Sequence, residues 1–470
     1  MIKNDFELGI TKENLKQLES SFENCDKDES LNEMSAMKQS IYRKALIGEI
    51  ENLSNQIKEY EDLKNGDPVQ FKLENAIDLP KMIIRSRISK GLSEKELSSK
   101  IGMDINEYSD LEDELFADST PELINQIMDV LNISVEQSLN EILLKSPIQI
   151  TKILQKRLGE LYNKLIPYEL VENENIFYGY LKLITSLKRI FSDQFNQILL
   201  GNEINYSKMT SARYKVPQNT NTELLYLYTA YSQHISKKIS EIIDVPKKKL
   251  TTDPKQFREE VIEKYGYLTF DTCANYIWDS GVAILPMDLR GGFHGACWRF
   301  EGKNIIVLKQ QSKSKSKWLF DLLHEYWHAT QEPELLERDV VDINEVLTSG
   351  NNDKEEIDAN NFANNVIFDG NGESLLEQCI KESKNRIGLL KASVQRVAIK
   401  NEVDVSSLAN YVAHSVSKKG RNFWGAAQNL QLKENPYLTA KTILESRISF
   451  YKVDDLLEKE LLENEWVEYN

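Results

Sequence analysis

Two histidines and a glutamate stand at a spacing that suits a metal-dependent hydrolase. The chain has 470 residues and five histidines, and two of these lie four apart in His324-Glu325-Tyr326-Trp327-His328. On a helix, residues i and i+4 share one face, so both imidazoles can reach one metal ion. Glu325 lies off that face but close enough to take a proton from a water held there. The pattern predicts a zinc site with His324 and His328 as ligands and Glu325 as general base.

The residues around this motif favour a buried active-site helix over a chance match on an ordinary helix. Leu319, Phe320, Leu322 and Leu323 precede the first histidine, and Ala329 follows the second. Polar ligands within such an apolar segment indicate that the helix faces the protein interior.

A third ligand is expected farther along the chain, because a catalytic zinc ion takes three protein ligands and leaves one position open. The segment 354–363 has the spacing of a helix, with Ala359 and Phe362 on its core side. Glu356 lies on that side and is the predicted ligand, with Glu345 as the alternative.

The other polar residues of this segment are given supporting or surface positions. Asn360 follows Glu356 by one turn and is predicted to hydrogen-bond a ligand. Glu355 and Asp358 are predicted to face solvent.

These two motifs together resemble the ImmA/IrrE family of bacterial metallopeptidases. They are His324-Glu-x-x-His328 and Glu356-x-x-Ala359-Asn360-x-Phe362-Ala363, and the resemblance covers about residues 250–370. It implies Zn2+ bound by His324, His328 and Glu356, with Glu325 as the catalyst. Many members have glycine before the second histidine. This chain has Trp327 there, and the larger side chain is expected to narrow the cleft.

Peptide hydrolysis also needs a donor that stabilises the oxyanion. His294, Tyr411 and His414 are the candidates, and simple packing is the alternative for each. Cys297 follows His294 on a predicted strand. Its thiolate could fill the open zinc position and hold the enzyme inactive, or the thiol could be a buried packing residue. The strand that carries Cys297 lies upstream of the predicted metal helix. In peptidases of this kind the upstream edge strand pairs with the extended substrate.

A second module is predicted from short helices between residues 76 and 145. Ser93 and Glu96 have the spacing of a capping box. The segment from Arg85 to Gly102 resembles the Xre/Cro and HigA-type helix-turn-helix. The helix after the turn, 104–114, has six acidic residues and no basic one, so DNA phosphates would repel it.

DNA binding by this module is therefore doubtful, and dimerisation or protein docking is the predicted role. Arg85 and Arg87 are the residues still expected to be able to contact a DNA backbone. The net charge of −16 also opposes non-specific binding of nucleic acid.

Composition and cysteine usage indicate a cytoplasmic protein. No apolar run reaches the length of a membrane span, and residues 1–10 have no hydrophobic stretch typical of a signal peptide. The four cysteines, Cys25, Cys273, Cys297 and Cys379, are scattered, which favours reduced thiols.

The predicted fold class is α+β and mostly α, in four parts. These are an N-terminal helical region (1–75), the helix-turn-helix domain (76–145), a helical linker (146–249) and a zincin-like metallopeptidase domain with a small β-sheet and a C-terminal helical extension (250–470). Strands are predicted at 281–285, 296–300 and 305–308, and the metal-binding helix at 317–331.

The predicted function is a zinc endopeptidase of narrow specificity. The resemblance implies a regulatory, repressor-like protein as the substrate, in stress, mobile-element or phage-defence control. A homodimer that forms through the N-terminal region is also predicted, and no membrane partner is expected. The alternatives are a transcriptional regulator or antitoxin-like protein whose peptidase-like half is a sensor, and a proteolytic toxin controlled by a partner.

Overall fold

The computed structural model describes residues 1–24, 36–66, 76–117, 119–133, 147–172, 176–202, 222–245, 248–291, 293, 295–342, 354–449 and 452–466. These residues are mostly helical and include one small mixed sheet, which confirms the α+β, mostly α class. Within these ranges no helix is both long and apolar enough to cross a membrane.

The chain forms two compact units. Residues 1–153 and 166–188 make the first unit, and residues 154–165 and 189–470 make the second. Residues of the predicted linker, 146–249, thus belong to both units.

The described residues up to 242 form a series of helices. They are α1 (Asp5–Asn24), α2 (Ala36–Asn65), α3 (Leu79–Ser89), α4 (Glu94–Ile101), α5 (Ile105–Asp113), α6 (Pro121–Val130), α7 (Pro147–Leu158), α8 (Leu161–Leu165), α9 (Tyr168–Val171), α10 (Ile176–Phe191), α11 (Phe195–Leu200) and α12 (Thr222–Ile242).

In the first unit, the short helices α3 to α6 follow the predicted pattern. Ser93 and Glu96 form the expected capping box, in which the Ser93 hydroxyl accepts from the Glu96 N–H at 3.2 Å. Gly102 ends α4 in the left-handed conformation that glycine adopts without strain. The local sequence signals therefore place the start and end of this helix.

Burial rules out the predicted contact of Arg87 with a DNA backbone, whereas that of Arg85, whose side chain keeps 37% of its surface exposed, stays a prediction. Arg87 is buried, and its Nε and Nη2 atoms donate to the two carboxylate oxygens of Glu112 at 2.6 and 2.7 Å. The Tyr108 hydroxyl donates to the same carboxylate at 2.5 Å. Arg85 pairs with Glu59 at 2.6 Å. Each guanidinium group thus has a carboxylate partner within the protein.

The second unit is built around a four-stranded sheet in the order β1-β3-β2-β4. Its strands are β1 (Val282–Pro286), β2 (Gly295–Phe300), β3 (Lys303–Leu308) and β4 (Arg338–Asp342). β1 and β3 are parallel, and the other two pairs are antiparallel. β4 was not predicted, and it covers β2 on the side away from β3. The expectation that the strand carrying Cys297 is an edge strand is therefore wrong.

The second unit has ten helices among its described residues after 250. They are α13 (Pro254–Tyr265), α14 (Phe270–Asp279), α15 (Lys315–Thr330), α16 (Lys354–Phe368), α17 (Gly372–Glu382), α18 (Ile387–Lys400), α19 (Val405–Ser417), α20 (Trp424–Gln428), α21 (Pro436–Arg447) and α22 (Leu456–Trp466). α15 packs on β2 and β3 and also against α16 and α19. The motif helix is thus held in the middle of the unit.

Candidate metal centre

The two histidines of the motif and Glu356 meet between helices α15 and α16. His324 Nε2 lies 3.2 Å from His328 Nε2 and 3.3 Å from Glu356 Oε2. His328 Nε2 lies 3.5 Å from Glu356 Oε1. Both imidazoles are buried, while the Glu356 side chain keeps 41% of its surface exposed. The site therefore opens to solvent on the side of the carboxylate.

These separations fit a divalent ion held by two nitrogens and one oxygen. Donor atoms about 2.0–2.1 Å from a tetrahedral zinc ion lie about 3.3 Å from each other. The ligand atoms of His324, His328 and Glu356 all lie within 4.8 Å of one another. Two imidazole nitrogens and a carboxylate are also donors that zinc prefers. The structure therefore brings the predicted metal-binding residues together.

Glu356 reaches the histidines because α16 packs closely on α15. Ala359, Phe362 and Ala363 are buried along the core side of α16, as their spacing predicts. The Asn360 side-chain amide donates to the Glu356 backbone carbonyl at 2.8 Å. This bond ends on the backbone carbonyl of the predicted ligand Glu356.

Trp327 belongs to the contact between these two helices. Its ring lies 5.3 Å from that of Phe362, which also contacts Tyr326 at 5.8 Å between ring centres. Large aromatic side chains contribute strongly to packing at such contacts. The Trp327 indole thus contributes ring packing to the contact between α15 and α16.

The prediction that Glu355 faces solvent is wrong. Its Oε1 atom lies 2.7 Å from His328 Nδ1 and accepts from Arg338 Nη2 at 2.5 Å. These hydrogen bonds, that from His328 foremost, lower the pKa of Glu355 to about 2 against the opposing effect of its partial burial. Successive helix positions point about 100° apart, yet Glu355 and Glu356 reach different nitrogens of the same ring because His328 projects toward α16 between them.

Glu325 is buried beside the first residue of β2. A Cβ atom at Gly295 would lie 2.8 Å from Glu325 Cδ and 3.0 Å from its Cγ, and would overlap its Oε1. Gly295 is paired on both sides, with Leu308 and with Asp342. The missing side chain of Gly295 therefore leaves the space that the Glu325 carboxylate occupies.

Cys297 is the residue two positions further along the same strand. Its side chain is buried, and burial, assisted by the negative charge of Glu325, raises the pKa of the thiol to about 12. A thiol in this environment remains protonated at neutral pH and behaves as a small apolar side chain.

Of the remaining predicted residues, Tyr411 and His414 lie on α19, and the other two lie outside the described residues. Tyr411 packs on Phe368 at 5.2 Å between ring centres and against Gly372. His414 is half-buried in the last turn of α19. His294 and the alternative ligand Glu345 are outside the described residues.

Sequence reasoning missed Gly295, Glu355 and Arg338. A glycine inside a strand often marks the close approach of another group, and this signal could have found Gly295. No comparable signal distinguishes Glu355 from a surface glutamate, because its role depends on the orientation of one imidazole ring.

No protein-family model matches the chain, and no curated protein or solved structure is significantly similar to it. The function is therefore inferred from the chemistry of the site.

Proposed function

We propose that the chain is a zinc-dependent endopeptidase of the ImmA/IrrE type, with a zincin-like domain in its second unit. The observation that supports this most is the convergence of His324, His328 and Glu356, with the buried Glu325 directly after His324 on the same helix. Two His and one Glu leave one coordination position open, which distinguishes catalytic zinc sites from structural ones.

The residues have complementary roles in this proposal. His324, His328 and Glu356 would hold the ion, which when bound supplies Lewis acidity toward a water molecule and a peptide carbonyl. Glu325 accepts the proton of the attacking water and delivers it to the leaving amine. The Glu325 carboxylate is buried and lies against Gly295, which limits the space in which it can move.

Metal content is the first test. Purified wild-type protein should hold about one zinc per chain, while His324→Ala and Glu356→Ala should lose it. Asp358→Asn is the matched control, because Asp358 is a carboxylate of the same helix outside the ligand set. Wild-type protein that binds no zinc under metal-replete conditions would disprove the assignment.

Proteolysis needs a separate test in which the substrate is not assumed. New protein N-termini should be mapped by mass spectrometry in cells that express either the wild type or Glu325→Gln. The proposal expects a small set of cuts that only the wild type produces. Equal sets of N-termini from a zinc-loaded wild type and from Glu325→Gln would refute peptidase activity and favour a sensor.

A regulatory protein is the proposed substrate, and the first unit supports docking of a protein more than binding of DNA. Arg85 and Arg87 are held in ion pairs, and the acidic residues of α5 apart from Glu112 are exposed. Such a surface repels phosphates and attracts basic proteins. Incubation of the purified protein with a candidate helix-turn-helix repressor should give a discrete cut. A proteolytic toxin would use the same chemistry, and it would be distinguished by growth arrest that Glu325→Gln abolishes.

A further inference from the structure

His328 is held through both of its ring nitrogens, and only one of them faces the other predicted ligands. Its Nε2 atom points to His324 and Glu356, while its Nδ1 atom lies 2.7 Å from Glu355 Oε1. That oxygen also accepts from Arg338 Nη2, so it serves as an acceptor for both neighbours. The proton of the neutral ring must then sit on Nδ1, which leaves the lone pair on Nε2.

Arg338 also contacts His328 directly, at its backbone. Its Nη1 atom donates to the His328 carbonyl at 3.0 Å, near the C-terminal end of α15. Carbonyls in the last turn of a helix lack partners within the helix, and a cation there is favourable. The Arg338 side chain is only 8% exposed, so this contact is shielded from water.

The sheet fixes the place of Arg338. It begins β4, where it pairs with Arg299 of β2. Arg299 is itself buried and donates to the backbone carbonyls of Ala329 and Gln331 at 2.8 and 2.9 Å. The two arginines together attach the end of the motif helix to the sheet.

We propose that Glu355 and Arg338 are positioning residues that set the ring of His328 as an Nε2 metal ligand before the ion arrives. This inference rests on the proposed zinc site. It assigns to Glu355 a carboxylate–histidine contact that raises the basicity of the ligand nitrogen. Arg338 holds that carboxylate and the ligand's backbone in one geometry, because the planar guanidinium donates in two fixed directions.

The metal-free protein allows a direct test, because the tautomer can be read without activity. With only five histidines in the chain, ¹⁵N-labelled imidazoles give a spectrum in which His328 is assigned by its loss in His328→Gln. Wild-type protein should show His328 protonated at Nδ1. In Glu355→Ala this preference should give way to a mixture of both tautomers. An unchanged tautomer in Glu355→Ala would overturn the proposal.

Zinc affinity gives an independent measurement, made with the metal alone in competition with a chromophoric chelator. Glu355→Ala should weaken binding by about tenfold to a hundredfold. Glu355→Gln keeps an acceptor oxygen, so its zinc affinity should be close to that of the wild type. This variant also allows the comparison if Glu355→Ala does not fold. Arg338→Lys keeps the charge but not the two directions of donation, so its affinity should fall between those values.

A control variant and two contrary outcomes distinguish failure of the positioning role from failure of the proposed zinc site. Asp358→Asn should bind zinc as the wild type does. A merely structural role for Glu355 would lower the melting temperature of the metal-free protein and leave the zinc affinity of the folded protein unchanged, which would refute positioning while the zinc site stands. Failure of the wild type to bind zinc would reject the proposed function itself.

Discussion

The substitution Gly295→Ala is expected to disable the proposed general base, Glu325, without changing a proposed metal ligand. The new Cβ atom would lie 2.8 Å from Glu325 Cδ, whereas ordinary contacts begin at 3.4 Å, so the two groups must separate by at least 3.4 − 2.8 = 0.6 Å. Gly295 is hydrogen-bonded into the sheet between β3 and β4 and cannot easily withdraw. The Glu325 carboxylate must therefore move.

The size of the effect follows from how sensitive proton transfer is to distance. A catalytic group misplaced by about 1 Å costs about a hundredfold in rate, so a loss of about tenfold to a hundredfold is expected here. Complete removal of a general base costs about 10²–10⁴-fold, which sets the upper limit that Glu325→Gln should reach. Zinc content should stay the same, because the ligands are not displaced.

The assay compares the rate at which the new N-terminus of the substrate appears for four variants. These are Gly295→Ala, Glu325→Gln, the double variant, and Gly388→Ala as a control at a glycine with nothing within 4 Å. The double variant should be no slower than Glu325→Gln alone, because both changes act through one carboxylate. Full activity in Gly295→Ala, or losses that multiply in the double variant, would refute this reasoning.

Three further predictions concern stability. Burial raises the pKa of Glu465 from 4.5 to about 7. The associated stability is complete below pH 4.5 and lost as pH rises through 7, so Glu465→Gln should remove up to about 3 kcal/mol of pH dependence in denaturant titrations between pH 4 and 8. A parallel pH profile for the two proteins would contradict this. Glu112→Ala leaves the Arg87 charge buried and should cost about 3–5 kcal/mol, whereas joint replacement of both by apolar residues should cost less; equal losses on thermal unfolding would count against it. Trp327→Ala removes the ring that packs on Phe362 and should cost roughly 3 kcal/mol, and an unchanged melting temperature would show that this packing is unimportant.

Local signals in the sequence predicted most of the elements that position the site. Apolar runs between glycine turns predicted β1, β2 and β3, and apolar spacing predicted α15 within two residues at each end. β4 was not predicted, because Arg338, Asp339 and Asp342 make its sequence polar. Strands of this kind form by pairing with a neighbour, which is a tertiary effect that local propensity does not contain.

The residues of the candidate site likewise fall into those that the sequence predicts and those that it does not. His324, His328 and Glu356 could be predicted because helical periodicity places the two histidines on one face of α15 and Glu356 on the core side of α16. Glu355 could not, since its adjacency to Glu356 in the sequence suggests a solvent-exposed side. Its partners come from β4 and from the orientation of one ring, and both depend on how separate parts of the chain pack.

The placement of the predicted ligands on two helices has a mechanical consequence. An ion held by His324, His328 and Glu356 would act as a cross-link that joins α15 to α16 and closes the chain between them into a loop. Such a clip stabilises the native state by about 4 kcal/mol when free zinc exceeds its dissociation constant about a thousandfold. Supply of the metal would thus control the lifetime of the folded protein toward cellular proteases as well as its chemistry, and a zinc-starved cell would clear it faster.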